Sequence, residues 1–236
     1  MVVTRGLYAA AAGMRVQMRR QDVHANNLAN AATPGFRRSD VTVGQSAFGG
    51  ALAEAGAMPT AESTSVDVRP GPVHETASPW DLAIEGEGLF ALQTDRGIRF
   101  TRDGRFERAP EGRLMSLSGH PVMGRSGPIV LPGDEFLVSD RGQVFSVGQH
   151  VDDLFIADFD PGDGLRREPD GLLVAAVGPR MMDEPSLRQG YVEDANVSVV
   201  REMAHMMTGF RAYEASAAAL RSTDETLGTL IDSALS

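Results

Sequence analysis

The sequence predicts an α+β protein in which N- and C-terminal helices form a discontinuous coiled-coil unit. An extended connector and a central antiparallel all-β domain lie between them. Three observations carry this reading. Apolar residues recur at alternating steps of four and three near both ends, turn signals interrupt the middle at short intervals, and the stretch after the first helix has no sustained period. The implied divisions are 1–33 for the N-terminal helix, 34–80 for the connector, 81–190 for the β domain and 191–236 for the C-terminal helix.

The first helix is expected from about Thr4 to Ala31, with a seam at Leu7, Ala11, Met14, Met18, Gln21, Ala25, Leu28 and Ala32. It stops at Thr33-Pro34-Gly35-Phe36, because proline cannot join the helix ladder and pushes the preceding residue to extended geometry. Pro34-Gly35 suits the two central positions of a type II turn. The opening residues imitate a short secretion signal, but Arg15, Arg19 and Arg20 follow the alanines without a break. The seam runs straight through the supposed cleavage region, so a retained amphipathic helix is expected.

From Arg37 to about Pro79 small residues, Gly49-Gly50 and scattered prolines read as a connector with little core of its own. Between Asp81 and Pro185 come turns such as Glu85-Gly-Glu-Gly88, Arg102-Asp-Gly104, Pro110-Glu-Gly112 and Asp140-Arg-Gly142. The strand-like runs among them are Leu89–Leu92, Ile98–Phe100, Phe136–Val138, Val144-Phe145 and Leu154–Phe159. Short strands with frequent turns argue for antiparallel pairing rather than βαβ units.

After Asn196 the helical period returns at Val199, Met203, Met206, Phe210, Tyr213, Ala217, Leu220, Asp224, Leu227 and Ile231. Asp224 is the one charged member. A seam this long needs a partner: the first helix, or a neighbouring subunit.

Composition excludes several chemistries. The chain of 236 residues has 32 acidic and 22 basic side chains, a net charge of −10, which is the wrong sign for gripping nucleic acid. It has no cysteine and every basic residue is arginine, so thiolate sites, Schiff bases and a P-loop lysine are excluded. No apolar run is long enough for membrane insertion as a helix. Gly86-Glu-Gly88-Leu-Phe-Ala91 matches a dinucleotide fingerprint loosely, but a strand continues where a helix is required, so a glycine-rich hairpin is expected. Asp158-Phe-Asp160-Pro-Gly-Asp163-Gly164 misplaces its third acid for a calcium loop and reads as an acidic turn. Glu202-Met-Ala-His205 has the spacing of one arm of a di-iron site, but a single copy cannot build one, and the seam puts both residues on a solvated flank. The prediction is no enzyme, no catalytic residue, no metal site and no cofactor.

The residues point elsewhere. Asn26-Asn27-Leu28-Ala-Asn30-Ala-Ala-Thr-Pro34-Gly35-Phe36 resembles the signature of the bacterial flagellar rod, hook and hook-associated family. Ser78–Phe90, Phe100-Thr-Arg-Asp-Gly-Arg-Phe106 and Gly119-His-Pro-Val122 resemble the start of that family's β domain and the hairpins that follow. Gly190-Tyr-Val-Glu-Asp-Ala-Asn196-Val197 and Arg211-Ala-Tyr213-Glu214 resemble its C-terminal block. The motifs occur in family order and span nearly the whole chain. The short length and Gly119–Ile129 are most similar to proximal-rod subunits, with distal-rod subunits next. Ala195 departs from a frequent serine, which removes a possible cap at the helix start.

The resemblance implies a non-enzymatic rod subunit that polymerises helically, transmits torque, and meets other rod subunits and the flagellar type III export apparatus. It also implies export without a cleaved signal to a rod crossing the periplasm. Phe48 and Leu52 resemble a Phe-x-x-x-apolar export motif. Other readings are a periplasmic enzyme on the β domain and a coiled-coil adaptor for another partner.

Overall fold

A computed structural model describes residues 2–43, 62–160 and 163–235; for 2–10, 43, 62, 227 and 230–235 the description is of backbone only. The chain divides into a helical unit (1–29, 39–65 and 198–236) and a β unit (30–38 and 66–197). The β unit thus claims residues 30–38 and 66–80, which differs from the divisions drawn at 33 and 80.

In the helical unit, α1 spans Val2–Ala29 and ends where Thr33 N–H bonds back to the Asn30 carbonyl at 3.0 Å. Strands β1 (Ser39–Val43) and β2 (Glu62–Val66) pair as a ribbon. The last element, α2, runs Val199–Leu235 and begins with Glu202 N–H on the Ser198 carbonyl at 2.9 Å. Ala195 lies before that start, so its lack of a hydroxyl leaves the helix terminus untouched. The helices lie antiparallel: His24 meets Glu202 and His205, while Gly209 faces Gln21 and Gln17.

The seams do not supply the closest-packed faces. In α1 the buried positions are Ala12, Val23, His24 and Asn27, while Met14 and Leu28 are half-buried and Met18 is exposed. In α2 the covered stripe runs Glu202, Met206, Gly209, Tyr213, Ser216 and Leu220, leaving Val199, Met203 and Phe210 exposed. Each covered face overlaps its seam only in part (Met14, Gln21 and Leu28 in α1; Met206, Tyr213, Ala217 and Leu220 in α2), because it also carries buried polar groups that a search for apolarity passes over. Glu202 is corrected accordingly: it is 0% exposed and not on a solvated flank, whereas His205 is exposed as expected and stacks on His24. The side chains of Leu7, Leu227 and Ile231 lie outside the described residues.

The β unit contains β3 (Val73–Glu75), β4 (Leu82–Glu85), β5 (Leu89–Thr94), β6 (Gly97–Thr101), β7 (Phe106–Arg108) and β8 (Leu114–Ser116). Beyond them lie β9 (Leu137–Val138), β10 (Gln143–Ser146), β11 (Gln149–Asp153), β12 (Ile156–Asp158), β13 (Arg166–Arg167), β14 (Leu173–Val174), β15 (Arg180–Met181), β16 (Ser186–Gln189) and β17 (Tyr191–Glu193). Its largest sheet has the order β13-β14-β6-β5-β12-β15, with β11-β10-β9 and the pairs β16–β4, β17–β3 and β7–β8 beside it. These pairings are antiparallel. The central strand β5 is buried on both faces. Phe90 and Leu92 join one core with Leu82, Phe106 and Leu114, whereas Leu89 and Ala91 join another with Phe100 and Phe159. Two-sided burial explains its uninterrupted apolar run.

Four turns repeat one hydrogen-bond design. Ala109, Ser116, Ser139 and Glu168 each donate N–H to the carbonyl four residues on, and each accepts from the glycine three residues on. The Gly86–Gly88 turn is not the hairpin expected from sequence: β4 pairs with β16 and β5 with β6 and β12, so the turn passes between sheets. The carbonyls of Gly86 and Gly88 are engaged by Arg102 instead of by a facing strand.

Candidate functional site

Within the β unit, the Thr33–Phe36 turn is held against the rest of the unit at backbone distance. Phe36 N–H bonds to the Thr33 carbonyl at 3.2 Å, and Gly35 has φ +68°, as a type II turn requires. A Cβ on Gly35 would lie 2.2 Å from Asp103 N and 2.4 Å from Arg102 C. Glycine is therefore required both by conformation and by the proximity of another backbone. Gly35 N–H donates to the Glu193 carbonyl at 2.7 Å. Phe36 is buried beneath the Arg167 guanidinium, 4.1 Å from ring centroid to cation, and Pro34 is half-buried.

Arg37, the next residue, enters the interior and meets Glu193, which is 1% exposed. One Glu193 carboxylate oxygen accepts from Arg37 and from Gly71 N–H at 2.7 Å, and the other accepts from Arg102. Arg37 also donates to the Arg69 carbonyl at 2.7 Å. Arg102 spends its remaining donors on the carbonyls of Ile84 and Gly86, both at 2.6 Å, and of Gly88. Two guanidinium groups thus share one carboxylate in a water-poor interior, and the carbonyl dipoles offset part of the excess charge.

Burial pushes Arg37 down to about 10 despite the neighbouring Glu193 carboxylate, and it lowers Arg102 as well. Arg167 falls to about 10 for the same reason. Its Nη atoms donate to the Arg37 and Gly171 carbonyls at 2.6 and 2.8 Å.

Asn196 completes the cluster. Its Oδ1 accepts from Arg38 N–H at 2.6 Å, its Nδ2 donates to the carbonyls of Asp67 (3.0 Å) and Arg69 (2.8 Å), and its own N–H reaches the Phe36 carbonyl at 3.2 Å. Three segments (33–38, 67–71 and 193–196) are thereby tied side by side.

A second polar cluster lies within the helical unit. Asn27, 0% exposed, exchanges two bonds with the Ser39 backbone: Nδ2 to the carbonyl at 2.8 Å and Oδ1 from N–H at 2.9 Å. Its Nδ2 also reaches Glu202 at 3.2 Å, and His24 Nδ1 lies 2.6 Å from the same carboxylate oxygen. The asparagine pins β1 to α1, and Glu202 ties α2 to both.

The remaining sequence candidates scatter. Asn26 is exposed, and Asn30 accepts from the Thr33 hydroxyl at 3.3 Å. Val197 and Tyr213 are half-buried, while Arg211 and Glu214 are exposed. Phe48 and Leu52 lie outside the described residues. The sequence list omitted Arg37, Arg102, Glu193, His24 and Glu202. Three of these, Arg37, Arg102 and Glu193, sit within or beside the quoted family blocks, but their immediate neighbours carry no signal that marks them as buried. Among the described residues, no three His, Asp or Glu side chains are placed to hold a metal ion, and no helix is long and apolar enough to cross a membrane. The geometry ties distant segments of the chain together through buried ion pairs and side-chain-to-backbone hydrogen bonds.

Comparison with known proteins bears on this arrangement. Three family profiles match in chain order: flagella basal body rod protein at residues 7–37, flagellar hook protein FlgE/F/G D1 domain at 83–146, and flagellar basal body rod FlgEFG protein C-terminal at 188–233. The flagellar basal-body rod protein FlgF of Mesorhizobium japonicum is 35% identical, over 95% of this chain and 97% of the relative. FlgF of Escherichia coli is 30% identical over 94% and 95%, and FlgG of Bacillus subtilis is 29% identical over 97% and 98%.

Proposed function

The chain belongs to the flagellar basal-body rod protein family, and from that premise we propose how it works. It is a structural subunit of the rod, with the proximal rod favoured by the FlgF relatives. It leaves the cytoplasm unfolded through the flagellar type III system without a cleaved signal, takes its place in the periplasm-spanning rod and transmits torque. It acts without catalysis.

The observation that carries the assembly reading is a ridge on α2. Val200, Met203, Met207 and Phe210 are 79%, 52%, 58% and 56% exposed on successive turns. Large apolar side chains aligned in this way favour coverage by another subunit. Contacts between copies that do not close produce a helical filament, and coiled-coil pairing of the terminal helices is completed there. The net charge of −10 keeps such a subunit soluble beforehand.

The absence of cysteine makes the test clean. Met207→Cys and Phe210→Cys, placed one at a time in the full chain and labelled at the thiol with a photoactivatable cross-linker that inserts into neighbouring C–H or N–H bonds, should cross-link to another rod subunit in isolated basal bodies. No cross-link from either position in motile cells would remove the ridge from the assembly. Distal-rod placement is the second reading, favoured by the FlgG relative being matched over nearly its whole length.

A further inference from the structure

Residues 30–38 and 66–197 form the β unit, so the chain passes to or from the helical unit four times: at 29/30, 38/39, 65/66 and 197/198. The β-unit segments at all four passages belong to the Glu193–Asn196 cluster. Residues 35–38 hold the first two passages, 67–71 the third and 193–196 the fourth. Among these segments run nine bonds: Gly35 to Glu193, Phe36 to Asn196, Arg37 to Arg69 and to Glu193, Arg38 to Asn196, Asp67 to Arg38, Asn196 to Asp67 and to Arg69, and Gly71 to Glu193. The buried Arg37–Glu193–Arg102 charges lock the same place to the rest of the unit.

We infer that Glu193 and Asn196 are force-positioning residues: they bind the four passages into one anchor, so that torque is shared among them. This rests on the rod-subunit reading above and adds where the load is taken. Segments bonded to one another share an imposed load, so the anchor yields only when several bonds break together. A segment held alone would peel one bond at a time.

The test uses the full chain expressed in a strain lacking it, with two variants. Arg37→Met with Glu193→Gln removes one cation and one anion together, leaving the net buried charge unchanged. Asn196→Ala removes three side-chain bonds and leaves no buried charge behind. In the purified proteins Trp80 fluorescence reports folding of the β unit. Hydrogen exchange at 35–38 and 67–71 should be about tenfold faster than in the wild type. Cells carrying either variant should build rods and swim at low viscosity, then slow increasingly relative to wild type as viscosity rises.

Equal swimming at every viscosity, with the exchange already faster, would overturn the anchor, and so would folded variants that build no rod. If the paired variant does not fold, Asn196→Ala decides alone. Failure of the rod reading itself looks different: the strain lacking the chain would then swim and carry hooks.

Discussion

Replacing Gly35 by alanine tests the docked turn most sharply. The added Cβ would sit 2.2 Å from Asp103 N, 2.4 Å from Arg102 C and 2.6 Å from Asp103 Cα. All three are backbone atoms, so no side chain can swing aside. Ordinary contact begins at 3.4 Å, which means the two backbones must part by roughly 1 Å. Overpacking of this kind costs about 1–3 kcal/mol, and the left-handed φ of +68° adds about 1–2 kcal/mol for a residue with a Cβ. The sum, about 2–5 kcal/mol, is a large share of the 5–15 kcal/mol typical of a domain. Gly119→Ala is the matched control: φ is +80°, yet nothing lies within 4 Å of its added Cβ, so it carries the backbone strain alone. Urea unfolding followed by Trp80, which stacks on Phe136 in the β unit at 5.1 Å, reads both variants. Gly35→Ala should lose about 1–3 kcal/mol more than Gly119→Ala. Losses equal within about 0.5 kcal/mol would refute the close approach of the turn to residues 102–103.

Other perturbations report on the rest of the structure. Arg102→Met should destabilise the β unit by about 3–5 kcal/mol in the same urea assay, because it strips Glu193 of one cation and leaves three carbonyls without their donor. Asn27→Ala leaves the Ser39 N–H and carbonyl without partners and should cost about 2–3 kcal/mol, read from the thermal loss of helical circular dichroism. Val147 opens the two-residue β10–β11 turn at φ +51°, a poor conformation for a β-branched side chain, so Val147→Asn should raise stability by about 1 kcal/mol, seen as a higher urea midpoint. Hydrogen bonds from Arg69 hold the Asp67 carboxyl below its ordinary 3.8. Its contribution is therefore complete above that value and is lost as pH falls through the lower folded one. Asp67→Asn should lower stability near neutrality and converge on the wild type at low pH, flattening the acid limb, as a pH series of melts will show.

Sequence periodicity found both terminal helices, and turn signals found β5, β6, β9, β10 and β12, because these depend on local spacing; β1, β2 and β3, in the stretch read as a connector, were missed. Pro34-Gly35 was legible for the same reason: proline and glycine fix dihedrals without help from elsewhere. The polar part of the covered helix faces was not legible, since it consists of His24, Asn27 and Glu202, residues that become interior only through partners as far as 178 positions away. Glu193 was hidden similarly. A glutamate in a strand reads as solvated until Arg37 and Arg102 arrive from distant parts of the chain. Nor could spacing show that Gly86–Gly88 links two sheets, because its carbonyls are claimed by Arg102 across the fold.

The central claim, that this chain is a structural subunit of the flagellar rod, is tested most directly by electron microscopy of basal bodies from a strain lacking it. The account predicts basal bodies without a complete rod or hook, restored when the full chain is supplied. Complete rods bearing hooks in the deletion strain would contradict it.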